Sequence, residues 1–215
     1  MTETITTVLA RAEAALAGSA IGHLPRPARL AVLDALGDYE RRGVGHQRRF
    51  TIALGAHGKL DIPRLTLAGD LSLPLLDGRW NDPILDNARD VAVRALRDTG
   101  DARDLRASVA RARERLTERT KATAGVVLAA RASLALVTAA LDDQPAPPER
   151  RDLDDENLDP DDWGVEFCAN SARTGLPSER RDEPARRAFW AYWLQSAKQH
   201  AAMRSVLDAP LPGRA

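Results

Sequence analysis

Residues 186–202 read RRAFWAYWLQSAKQHAA and hold four of the chain's nine aromatic residues within five positions: Phe189, Trp190, Tyr192 and Trp193. Elsewhere the 215-residue sequence is built mostly from alanine, leucine, valine and arginine. At about 100° per residue, Phe189, Trp193, Ala197, Trp190, Ala201 and Leu194 share an arc of roughly 140°, wide enough for a core helix. Tyr192 falls on the flank, where its ring can pack and its hydroxyl stay wet. The spacing therefore predicts a buried helix whose rings fill gaps left by small alanines on its neighbours. The alternative is an exposed aromatic anchor for a partner. Arg186 and His200 share the apolar face. Arg186 lies in the first turn, where the helix dipole disfavours a cation. Either a carboxylate reaches it, or its stem covers Trp190 with the head in water, the simpler expectation. His200 reads as a boundary histidine.

Working outward, nearly every segment has helical spacing. Asp182 and Pro184 open the aromatic helix, which should run to about Leu207. Before it, a short helix from Trp163 to Thr174 can be capped by Asp161 or Asp162 and stopped at Gly175. Residues 101–141 contain no proline and only Gly125 as a weak break. Their first half, DLRASVARARERLTERT, is amphipathic, while the second is apolar nearly all round, as a central helix would be. Towards the N-terminus, Ile5, Leu9, Ala12 and Leu16 mark a helix over 2–17 closed by Gly18. Leu30, Leu33, Leu36 and Tyr39 mark another over 26–42, ending at Gly43. Asp61 with Pro63 and Asp82 with Pro83 repeat the start signal. The first opens LTLAGDLSLPLL, which Pro74 kinks or ends. The second opens a helix with Ile84, Ala88, Val91, Ala92, Ala95 and Leu96 on one face, stopped at Gly100, and Asp101 caps the next. RRFTIALGAHGKLDI, residues 48–62, reads as a short helix stopped at Gly55, with a small hairpin as the alternative. The expected fold is all-α: one globular domain over 1–215, a bundle of six to eight helices.

The composition shifts at residue 142. DDQPAPPERRDLDDENLDPDDW has four prolines and cannot continue a helix, so residues 142–162 should form an acidic, proline-rich surface loop. Seven of the eleven residues from Asp152 to Asp162 are acidic. A calcium loop starting at Asp152 would need glycine sixth and glutamate twelfth, where this chain has Asn157 and Trp163. The loop is thus either a solvated connection or a negative surface for a basic partner. In the second case Asp154, Asp155, Glu156, Asp159, Asp161 and Asp162 are the candidate binding residues, reaching outward while Trp163 anchors the loop's end.

The remaining composition mostly excludes. The 31 basic residues, all but three of them arginine, cancel 31 acidic ones, so bulk charge points to no nucleic-acid or membrane partner. One cysteine, Cys168, allows no intramolecular disulfide, fits a reducing compartment, and lies beside Phe167 with no nearby base, as a buried thiol would. MTETITTVLARAEAALAG lacks the basic start and apolar run of a secretion signal. Residues 123–141 are apolar, but Arg131 at their centre argues for a buried helix over a membrane span. The expected location is the cytoplasm. His23, His46, His57 and His200 have no metal-ligand spacing. GVGHQRR and GAHG are not phosphate loops, and no GxSxG, HExxH or CxxC occurs. No cofactor, metal or catalytic group is expected.

One stretch adds more. LDIPRLTLAGDLSLPLLDGRWNDPILDNARDVAVRAL, residues 60–96, resembles the central segment of an all-α family of immunity proteins from bacterial polymorphic-toxin systems, the family numbered five. Its pattern is a helix ending in Leu-Pro, an acidic residue, a polar turn and a proline opening the next helix. The corresponding positions here are Leu73, Pro74, Asp77, Asn81 and Pro83. RRAFWAYWLQSA resembles that family's C-terminal helix. The chain departs in having Asp82, where arginine commonly precedes the second proline, and in its long acidic insertion. The resemblance implies a non-enzymatic protein that binds a cognate toxin and occludes its active surface. A helical scaffold or regulatory protein-binding module is the alternative, and an enzyme the third reading.

Overall fold

The computed structural model describes residues 3–36, 88, 91, 102–118, 124–142 and 152–207. Among these it is all-helical, with six α-helices and no strand. They are α1 (Ile5–Gly18), α2 (Arg26–Leu36), α3 (Ala102–Glu118), α4 (Ala124–Asp142), α5 (Val165–Thr174) and α6 (Glu183–Leu207). One contiguous core draws residues from all six.

Each helix forms where the apolar spacing places it. In α1 Val8, Leu9, Ala12 and Leu16 are buried, and the Thr4 hydroxyl caps the start by accepting from the Thr7 N–H at 3.3 Å. In α3 the buried positions Leu105, Ser108, Val109, Ala112 and Leu116 form one stripe, and the opposite face is charged. In α4, Val126, Leu128, Ala129, Ala130, Ala132, Ser133 and Leu134 are buried, because α3 packs on one side and α5 on another. A helix sandwiched in this way must be apolar all round. Ala88 and Val91, expected on a core face, are helical and buried in the same core. The rest of that helix, the expected helix over residues 61–74, the 48–62 ambiguity, the family-like stretch before Ala88, Tyr39 and Gly43 lie outside the described residues.

The aromatic helix is a core element. Phe189, Trp190 and Trp193 are buried, and Tyr192 is 55% exposed. Trp190 packs edge-on against Phe189 at 5.0 Å and Trp193 at 6.1 Å between ring centres. Around them α6 meets α1, α2 and α5.

Arg186 corrects both expectations made for it. It is fully buried, so its head is not in water, and it has no carboxylate partner among the described residues. Its guanidinium donates to the carbonyls of Ile21, Thr174, Gly175, Leu176 and Arg181, at 2.8–3.4 Å. Five donors in a planar fork suit such a set of acceptors, which a lysine could not serve. Neighbouring Arg187 donates to the Leu16 and Ser19 carbonyls at 2.7 and 2.6 Å, a second donor for groups at the end of α1 that already accept the Ser19 and Gly22 N–H. The start of α6 is thus a knot joining the end of α1 to the turn after α5. Gly22 makes the approach possible: its φ is 66°, and a Cβ there would lie 2.7 Å from the Glu183 carbonyl.

Candidate partner-binding surface

Among the described residues, the later part of the expected loop, 152–162, does not reach outward, and residues 143–151 lie outside the described residues. Residues 152–163 lie against the helical body as two short 3-10 turns, Asp155–Asn157 and Pro160–Asp162. The physical reason is Asp155. It is 3% exposed, and its carboxylate takes both terminal nitrogens of Arg29, a residue of α2 that is itself 1% exposed. Arg29 also reaches Glu166 in the first turn of α5 through Nε at 3.2 Å, and the Leu24 carbonyl through Nη1 at 2.9 Å. Its guanidinium lies over the Trp190 ring at 5.1 Å and near that of Phe167 at 5.8 Å. His23 completes the cluster, with Nε2 3.6 Å from the Asp155 carboxylate and its ring edge-on to Trp190 and Phe167.

The electrostatics follow from this geometry. Burial alone would push the Asp155 pKa up, but Arg29 and His23 outweigh it and bring it down to about 2. Burial likewise pulls Arg29 down, and Asp155 with Glu166 more than compensate, leaving it above its ordinary value. His23 is lowered, chiefly by burial, so its ring is neutral near pH 7. The cluster is therefore one arginine cation between two acidic side chains, in a wall of aromatic rings. It holds α2, α5, α6 and the acidic segment to one another.

Further ties fix the rest of the segment. Trp163 packs edge-on against Phe167 at 5.2 Å and against the core, tying the end of the segment to the helical body, and its indole N–H donates to the Asp155 carbonyl within the segment at 2.7 Å. Asp161 pairs with Arg131 of α4, and its carbonyl accepts from Arg113 of α3 at 3.3 Å. Glu156 accepts from the Ser178 N–H at 3.0 Å and from its hydroxyl. Exposed pairs of the Arg131–Asp161 kind contribute about 0–1 kcal/mol each. Breaking a buried pair such as Arg29–Asp155 costs about 3–5 kcal/mol. The buried pair decides where the segment lies.

The six candidate residues thus divide. Asp155 is withdrawn into the core and cannot face a partner. Asp154, Glu156, Asp159, Asp161 and Asp162 remain exposed, on backbone that is held in place. Asp159 also accepts from the Asp161 N–H at 2.9 Å, closing the second turn. Neither Asp161 nor Asp162 caps α5, whose N-cap is Gly164. A Cβ at that position would lie 2.6 Å from the Glu166 carboxylate, so the glycine lets Glu166 fold back towards Arg29. Leu153, 39% exposed, adds apolar surface to the acidic face.

Sequence reasoning missed Arg29, His23 and Glu166. Arg29 did carry a signal: it lies four and seven residues before Leu33 and Leu36, on the apolar stripe of α2. Nothing local pointed to Asp155 as its partner. Cys168 is a buried thiol, with its pKa raised well above the ordinary range by burial. Among the described residues, no group of three or more His, Cys, Asp or Glu is arranged to hold a metal ion, and no helix is long and apolar enough to cross a membrane.

Comparison with curated proteins gives no match. Comparison with protein families gives one described as Immunity protein Imm5, matched over residues 9–200. That span takes in all or part of every described helix, the Arg29 cluster, the acidic segment and the aromatic core. An all-helical body with an ordered acidic face and a family match over nearly its whole length leads to one assignment: the chain belongs to the Imm5 family of immunity proteins.

Proposed function

We propose that the protein neutralises a cognate bacterial toxin by binding it and occluding its active surface, without catalysis of its own. The observation that carries this reading is the family match over residues 9–200. The geometry supplies a mechanism. A pre-ordered acidic face loses little conformational entropy on binding, and it attracts a basic surface over a long range. Toxins that act on nucleic acids have basic clefts, and carboxylates on a rigid segment can occupy positions that phosphates would take. In this mechanism Asp154, Glu156, Asp159, Asp161 and Asp162 meet the toxin, while Asp155 holds them in place from behind. The complex forms in the cytoplasm of the producing bacterium.

The test is co-expression. The toxin encoded beside this chain's gene should arrest growth when induced alone, and co-expression of the chain should restore it. Growth that stays arrested, with both proteins soluble and abundant, would remove the immunity reading. It would leave a helical scaffold or regulatory module as the alternative.

A further inference from the structure

Asp155 and Glu156 are neighbours in the first short turn of the acidic segment, and they are held from opposite sides. Asp155 is withdrawn into the core and taken by Arg29. Glu156 is exposed, and its carboxylate reaches the short helix Pro177–Glu179, 22 residues further along the chain. There the Ser178 N–H donates to one carboxylate oxygen at 3.0 Å, and the Ser178 hydroxyl donates to the other. Both bonds are charge-assisted, the stronger class of such contacts. As the second residue of its short helix, Ser178 has an N–H with no acceptor inside that helix, and Glu156 supplies one.

The turn that carries Ser178 is a fixed mount. Arg180 and Asp182 have φ of 50° and 45°, in the left-handed region that residues other than glycine seldom adopt. Such conformations persist where the surroundings over-determine them. Here the guanidinium of Arg186 does so, gathering the carbonyls of Thr174, Gly175, Leu176 and Arg181 from both sides of Ser178. The Glu179 N–H donates to the Leu176 carbonyl at 3.0 Å, and the Arg180 N–H to that of Pro177 at 3.1 Å, which closes the turn itself. With the backbone pinned before and after it, Ser178 stays in place and Glu156 must come to it.

We propose that Ser178 is a positioning residue of the acidic face: through Glu156 it fixes the first short turn from outside, as Arg29 fixes it from within through Asp155. The role rests on the proposed immunity function and extends it. Arg29 decides that the segment lies on the helical body, and Ser178 decides how the carboxylate of Glu156 and its neighbours are presented to the toxin. A face already set in its bound arrangement loses less conformational freedom on binding, and the gain appears in how long the complex lasts.

Ser178→Ala tests the role, because Ser178 is exposed and the substitution changes no charge. Circular dichroism first establishes that each variant is folded. Without the toxin, amide hydrogen exchange at Ser178 reads its bond to Glu156 directly, and it should be at least about three-fold faster in Glu156→Ala than in wild type. Equal rates would mean that the two residues are not joined in solution, and the role would be withdrawn. With the purified toxin encoded beside the gene, Ser178→Ala should dissociate about three- to ten-fold faster, while its association rate and salt dependence match wild type, since steering depends on charge. In the Glu156→Ala background the same substitution should change dissociation by less than about two-fold. A wild-type dissociation rate for Ser178→Ala would overturn the role and leave the immunity function standing. So would an equal loss in both backgrounds, which would make Ser178 a direct contact of the toxin. If the wild-type chain does not bind the toxin, the immunity function fails and this role falls with it.

Discussion

Arg29 is the residue on which the acidic face depends, and its chemistry leads to a prediction with a definite sign. The folded-state pKa of Asp155, about 2, lies below its ordinary 3.8, so the pair's stabilisation is present above about pH 3.8 and is lost as pH falls towards 2. A shift of that size is worth roughly 2–3 kcal/mol. His23, lowered from 6.5, works in the same direction: stability is full above about 6.5 and declines as the unfolded chain takes up a proton below it. Wild type should therefore lose stability on acidification. Arg29→Met removes the cation and leaves Asp155 and Glu166 buried without it, which should cost about 3–5 kcal/mol at pH 7. Protonation relieves the stranded Asp155 carboxylate, so the gap between wild type and variant should narrow as pH falls. Urea unfolding at a series of pH values measures it. A gap that does not change with pH would mean that Arg29 contributes only the packing of its stem.

At the scale of the helix, periodicity was informative wherever one element supplied the whole signal. The arc from Phe189 to Leu194 predicts the buried rings of α6, and the alternation in α3 and the all-round apolarity of α4 follow from where each lies. If Trp193 is a core ring, Trp193→Ala should lower stability by about 3–5 kcal/mol in chemical denaturation. A fully stable Trp193→Ala protein that had lost toxin binding would instead make the aromatic cluster an interface anchor. Arg186 shows where helical reasoning stops. Its position on the apolar face was legible, but its acceptors belong to the end of α1 and the turn after α5. A helical wheel contains no information about carbonyls from other elements.

Across the whole molecule, what escaped the sequence is what joins distant segments. Asp155 and Arg29 are separated by 126 residues. A dense acidic run resembles a solvated loop until one of its members is found buried. Composition identified the segment as unusual and Trp163 as its anchor, but it could not separate the one withdrawn carboxylate from the five exposed ones. The fold class could be read because helix-forming patterns are local, whereas the order of the acidic face could not, because it arises from a tertiary ion pair. On the proposed function, the exposed carboxylates, held by the Arg29 cluster, would steer the toxin onto this face. The direct measurement is the association rate with the toxin at low and high salt, for wild type and for the triple variant Asp154→Asn, Asp159→Asn, Asp162→Asn. Asparagine preserves the capping oxygen at position 159, and stability should stay within about 1 kcal/mol of wild type. The variant should associate about ten-fold more slowly at low salt and with a flatter salt dependence, because steering acts through long-range charge. An association rate equal to wild type at low salt would contradict it and move the encounter surface to the helical body.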